Sequence, residues 1–256
     1  MTFMRDHLEG TPLDMRLDAG AGPFGSPYRW RPLSWKVSDD PKGAEYTNER
    51  ATATQQTGFV FVAESRNWLP DPIGGIFWFG VDDAGTTVFN PIYCGITDVP
   101  ECFRVGNGDM TTYSPTSAFW LFNLVANMCY SRYDLMEADA KKVQKELEQK
   151  YIAETEKVDA AAVKLYENDV WKARDYLTEY ALKTAGNTFN EWKKLSEYLL
   201  VKYIDGNIKK EKDGKFARTR NNYPEMPLQP GYSDKWKKAV IQDTGDKLLM
   251  PAGAGH

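Results

Sequence analysis

Four arginines, Arg29, Arg31, Arg50 and Arg66, stand beside aromatic, turn-rich stretches of this 256-residue chain. A guanidinium fork in such a place matches the two oxygens of a carboxylate, although a surface or packing role suits an arginine equally well. Two adjacent acids, Asp82 and Asp83, follow an apolar run and could hold a cation or position an amine. The simpler reading is a solvated turn, where Asp is common. The GNGD run at 106–109 is too short for a phosphate-binding loop and reads as a tight turn.

Nucleophile and base candidates are few. Cys94, Cys102 and Cys129 are odd in number and lack CxxC spacing, which argues for free thiols over a disulfide framework or a zinc site. Only two histidines occur, His7 and His256. An enzyme relying on an internal histidine base would have to use His7, and a histidine-ligated metal would lack ligands. The formal net charge of −4 gives no pull toward nucleic acid or an anionic membrane. No apolar run approaches the length of a membrane span, and the opening MTFMRDHLEGTPLDMR lacks the apolar core of a signal peptide. The expectation is a protein with neither nucleic acid nor membrane as partner.

The elements that must position these residues divide by their punctuation. At 42% hydrophobic and 13% aromatic, the chain can bury a substantial core. Most prolines and glycines fall in residues 1–115, expected to form a β-rich part; 116–205 reads as helical, and 206–256 as an extended tail with one short helix at 234–242. Three strands are expected at 57–65 (TGFVFVAES), 76–81 (IFWFGV) and 86–94 (TTVFNPIYC). Pro91 places the third at an edge or a bulge. The short turns between them leave no room for helices, so the strands form an antiparallel meander. Apolar residues on both strand faces predict packing on both sides. A first helix begins after the Ser114–Ser117 stretch, and its seam runs on to Tyr151. A second is expected over 158–183 and a third over 188–203, separated near Gly186.

Longer stretches carry a resemblance. SPYRWRPLSW at 26–35, the run from NERATATQQTGFVFVAES to FNPIYCGITDVP at 48–100, and VGNGDMTTYSPTSAFWLFNLVANMCYSRYDLM after it are similar to the cysteine-type dipeptidases of the N-terminal-nucleophile hydrolase superfamily. Lactic-acid-bacterial dipeptidases and, more distantly, secernins belong to that group. The similarity extends to GYSDKWKKAVIQDTGDKL at 231–248.

The resemblance implies an α+β fold, part of an αββα sandwich with antiparallel sheets. It also implies hydrolysis of short peptides, dipeptides above all, without a cofactor. The nucleophile in such enzymes is an N-terminal cysteine whose own α-amino group takes the thiol proton, which explains how the reaction proceeds without histidine. None of the three cysteines here matches that position, so the chain is expected to be the C-terminal portion and to be inactive alone. Thr2, exposed by loss of Met1, is a competing nucleophile. By the same resemblance Arg31 is the catalytic helper near the nucleophile or the substrate carboxylate. Arg29 is its rival, and Gln56 lines the cleft as a second substrate-binding residue. Partners expected besides short peptides are a separate N-terminal half or a second copy of the chain, in a bacterial cytoplasm or periplasm. Two further readings stand beside this one: a non-catalytic subunit that pairs with such a half, and an amidase of the same superfamily acting on other amides.

Overall fold

The computed structural model describes residues 1–252, so His256 lies outside the described residues. In chain order the regular elements are β1 (Ser34–Lys36), β2 (Glu45–Thr47), β3 (Phe59–Ser65), α1 (Asp71–Gly74), β4 (Gly75–Val81), β5 (Asn90–Tyr93), α2 (Ala118–Ser131), α3 (Tyr133–Tyr166), α4 (Val170–Tyr203), β6 (Glu211–Lys212), β7 (Lys215–Phe216) and α5 (Asp234–Thr244). The chain is α+β. The main sheet is a β3–β4–β5 antiparallel meander, with two small hairpins, β1–β2 and β6–β7, beside it. Pro91 lies in the edge strand β5, opposite Trp78, where its missing N–H costs no ladder bond.

Alternation along β3 and β4 sends Val60, Ile76 and Trp78 to one face, and that face packs on the helices. Below it lies a core of Tyr93, Phe122, Met136, Tyr151, Leu177 and Trp192. Phe122 and Trp192 stack with centroids 4.8 Å apart and planes 11° from parallel. Buried polar links fix the register between sheet and helices. The Arg66 guanidinium binds the Ile73 and Gly74 carbonyls and pairs with Asp159 of α3, which also accepts from the Tyr93 hydroxyl at 2.9 Å. Thr188 of α4 donates to Asn90 Oδ1 at 2.7 Å.

Among the described residues the sheet packs on one side and not on both. Its other face carries Phe59, Phe61, Phe77 and Phe79, of which Phe59 is 61% and Phe61 46% exposed. These rings pack on one another, Phe61 on Phe77 at 4.6 Å and Phe77 on Phe79 at 5.6 Å, and Phe103 meets Phe79 edge-on. No second layer covers them among the described residues. Cross-strand aromatic contacts replace burial under another element.

The helix boundaries also differ from those read in the sequence. The first break falls at Arg132, whose non-helical backbone (φ −144°, ψ 62°) separates α2 from α3. The next falls at Glu167–Asp169, where Asp169 caps α4 by accepting from the Trp171 N–H at 2.9 Å. Residues 152–157 are good helix formers and continue α3 without interruption. Gly186 sits inside α4, since the α3–α4 packing holds the backbone there regardless of its propensity. A Cβ at Gly186 would meet nothing within 4 Å. Gly186→Ala should therefore raise stability by about 0.5–1 kcal/mol, seen as a higher midpoint in urea with an unchanged slope.

Candidate functional site

Polar atoms collect at one end of the main sheet, where β3 begins and β4 ends. Asp82 and Asp83 close β4, and both are buried: Asp83 is 0% exposed. The reading of a solvated turn is thereby overturned. The physical reason lies in the neighbours, since His7, Tyr28 and Tyr130 fold over the turn and shield it. Asp82 takes a left-handed backbone (φ 65°), which turns the chain back toward β5.

Asp83 Oδ2 accepts three hydrogen bonds: from Thr86 N–H at 3.2 Å, Thr86 Oγ1 at 3.1 Å and the Tyr28 hydroxyl at 3.1 Å. With the Tyr28 proton given to Asp83, His7 Nε2 at 2.9 Å donates to the Tyr28 oxygen, while Nδ1 faces Glu9 Oε1 at 3.5 Å without a hydrogen bond. Burial lowers the His7 pKa, consistent with a neutral ring, and raises those of Asp83 and Tyr28. Gly85 makes the approach possible, for a Cβ there would come within 2.7 Å of the Tyr28 oxygen. Asp82 Oδ1 accepts from Asn123 Nδ2 at 3.1 Å. Asp82 Oδ2, Asp83 Oδ1, the Tyr130 hydroxyl and Gln56 Oε1 are buried without a hydrogen-bond partner. A cluster of desolvated titratable groups of this kind is where chemistry is most often sited.

The residues singled out in the sequence fall around this cluster in different states. Arg29 is engaged within the fold, binding Asp18 at 2.8 Å, Glu49 at 3.3 Å and the Met15 carbonyl at 3.0 Å. Arg29 and Gln56 meet at a crevice of about 10 Å³, too small for a peptide group. Arg31 stands apart, exposed and without an ion pair or hydrogen bond among the described residues. Trp30, between the two arginines, turns its ring edge-on to Tyr130 at 6.0 Å. Two wider clefts lie elsewhere, along α3. One, of about 840 Å³, is lined by Arg5, Lys141 and Glu148; the other, of about 640 Å³, by Glu64, Arg66 and Asp159. Arg5–Glu148 and Arg66–Asp159 are already paired there.

The thiols are poorly placed for attack. Burial pushes Cys102 up to about 12 and raises Cys129 further, so neither is a thiolate near neutral pH. Cys94 is exposed, on the edge strand's exit, with its sulfur packed against Gly75. Among the described residues no group of three or more His, Cys, Asp or Glu side chains is placed to hold a metal. No helix there is long and apolar enough to cross a membrane.

Tyr28, Asn123 and Tyr130 are not marked by the sequence, and His7 is marked only as the histidine an internal base would require. Each is a polar residue in an otherwise apolar or turn-rich stretch, and nothing in local spacing brings them together. The Asp82–Asp83 pair was the available signal.

Burial moves Asp82 from its ordinary 3.8 to about 6. The folded protein then holds a proton that the unfolded chain releases, so stability falls as pH rises from about 4 to about 6 and stays low above. A shift of about two units corresponds to about 3 kcal/mol. Asp82→Asn should remove this penalty. In urea titrations the variant should exceed the wild type by about 2–3 kcal/mol at pH of about 8, and the gain should vanish toward pH of about 4.

Comparison with known proteins bears on the same region. Residues 1–146, which hold the main sheet, its polar end, α2 and the start of α3, match the model of the family described as Peptidase family C69. A protein of Lactococcus lactis subsp. lactis (strain IL1403), "Probable dipeptidase B", is 31% identical over 104 residues. That match covers 38% of this chain and 21% of the relative, so the chain accounts for about a fifth of that protein. With the family's model matched over residues 1–146 of 256, this chain belongs to peptidase family C69.

Proposed function

We propose that the chain forms part of a hydrolase of short peptides with free termini. The observation that carries this is the family membership, since the matched residues include the sheet and the buried polar end described above. The dipeptidase name of the Lactococcus relative supports the substrate class. In this reading the nucleophile is the N-terminal cysteine that the family resemblance implies. Its α-amino group, with a pKa near 8, takes the thiol proton as the sulfur attacks the peptide carbonyl. The peptide C–N bond then breaks as the leaving amine takes that proton, and water hydrolyses the thioester acyl-enzyme, releasing the acid and restoring the thiol. Arg31, with a free guanidinium, binds the carboxylate at the peptide's C-terminus, and a bidentate charge-assisted contact is the strongest available to it.

The aromatic outer face of the sheet supports a companion reading. Phe59, Phe61, Phe77 and Phe79 make a continuous apolar stripe of the kind that marks an interaction surface. A second sheet, carrying the nucleophile, would cover it and complete a sandwich about 10 Å between layers. Whether that sheet belongs to the same polypeptide or to a separate subunit does not alter the chemistry.

Hydrolysis of a panel of unblocked dipeptides, with N-acylated and other amides beside them, tests the proposal before and after thiol alkylation. The expected result is no turnover by the 256-residue chain alone, and alkylation-sensitive turnover of unblocked dipeptides once the cysteine-bearing segment is supplied. Alkylation-sensitive turnover by the chain alone would move the nucleophile to Cys94, Cys102 or Cys129. Turnover that survives alkylation would point to Thr2, and a preference for acylated amides would replace the dipeptide reading.

A further inference from the structure

The stretch that carries Arg31 is tied down on both sides of it. Before it, the Tyr28 hydroxyl is fixed by Asp83 and His7. The Arg29 carbonyl accepts from Gln55, and the Arg29 side chain is clamped by Asp18 and Glu49. Around Arg31 itself the work falls to one residue. Asn48 Nδ2 donates to the Trp30 carbonyl at 2.9 Å and to the Pro32 carbonyl at 2.7 Å, so one amide group bridges the peptide units flanking Arg31. The Asn48 backbone N–H donates to the Leu33 carbonyl at 2.7 Å. Asn48 is held in turn, its Oδ1 accepting from Trp35 Nε1 at 3.0 Å. Trp35 stacks on Tyr46 across the β1–β2 hairpin at 4.7 Å, which keeps that donor in place.

The carbonyls on either side of Arg31, those of Trp30 and Pro32, are therefore committed, while its guanidinium is exposed and unpaired among the described residues. A surface arginine ordinarily loses side-chain and backbone freedom when it binds an anion, and an already ordered backbone reduces that loss. Carboxylate and guanidinium must also meet in one plane for a two-point contact, which a wandering loop would not maintain.

We propose that Asn48 is a positioning residue for substrate binding, holding the Trp30–Pro32 turn so that Arg31 presents its guanidinium to the C-terminal carboxylate of a short peptide. This rests on the short-peptide reading above. Asn48 touches no substrate; it acts through Arg31. It is half-buried and outside the hydrophobic core.

The test compares alanyl-alanine with alanyl-alanine amide, which lacks the carboxylate. In the active protein, Asn48→Ala should raise KM for the free dipeptide about tenfold with kcat within about twofold, and leave KM for the amide unchanged. Arg31→Gln should do the same, and the double variant should be no worse than Arg31→Gln alone, because both act on one contact. A merely structural role for Asn48 would weaken both substrates equally or add to the Arg31 effect, and either outcome overturns the proposal.

A second arm needs no catalysis. An arginine-selective dicarbonyl reagent should modify Arg31 in the chain, read by peptide mass. Alanyl-alanine should protect it in the wild type; the amide should not, and Asn48→Ala should lose the protection. Protection in the chain, with no hydrolysis even once the cysteine-bearing segment is supplied, leaves the positioning role standing and rejects the peptidase reading. Hydrolysis without protection of Arg31 does the reverse. Absence of both rejects both.

Discussion

Asp83 is a carboxyl group with no access to water, and the surrounding structure answers that constraint. An acid buried in this way is costly unless donors surround it. The donors are the Thr86 amide and hydroxyl, supplied by the turn after β4, and the Tyr28 phenol, supplied from a distant loop. Tyr28 can arrive only because Gly85 leaves room, and its oxygen then fixes His7. The N-terminal loops, which have little regular structure, are ordered by this centre. From Tyr28 the order passes to Arg29 and on to the Trp30–Pro32 turn that Asn48 bridges.

The sheet is organised by a different balance. Its inner face is driven onto the helices by apolar area, at roughly 25 cal/mol per Å² removed from water. The Arg66–Asp159 link adds register more than energy, since buried ion pairs return little beyond their desolvation cost, and the neutral Thr188–Asn90 hydrogen bond contributes on the order of 1 kcal/mol. The outer face has comparable apolar character, yet it is left to its own ring contacts. One layer of the fold is thus complete among the described residues, while an aromatic stripe lies on the other side of the same strands.

The two halves of the chain differ in what holds them. In α3 and α4, strong helix formers and a long apolar seam suffice, and even Gly186 is carried along. The sheet end instead depends on individual hydrogen bonds between residues far apart in sequence. Tyr28 and Asp83 are 55 positions apart, and Asn123 and Asp82 are 41 apart. Small changes there are expected to be felt more sharply than larger ones along the helices.

By itself the sequence determined the α+β class, the antiparallel meander with Pro91 at its edge, the helical second half and the family. Each of these follows from local patterning or from long stretches of similarity. It could not determine that Asp82 and Asp83 are buried, because the residues that dry them, His7, Tyr28 and Tyr130, come from elements with no sequential relation to the turn. Nor could it show which strand face is covered, since both faces of β3 and β4 are apolar and only the placement of the helices distinguishes them. Arg29 and Arg31 look alike in the sequence. Only the tertiary structure distinguishes their surroundings, bringing Asp18 and Glu49 to the Arg29 guanidinium and, among the described residues, no partner to that of Arg31.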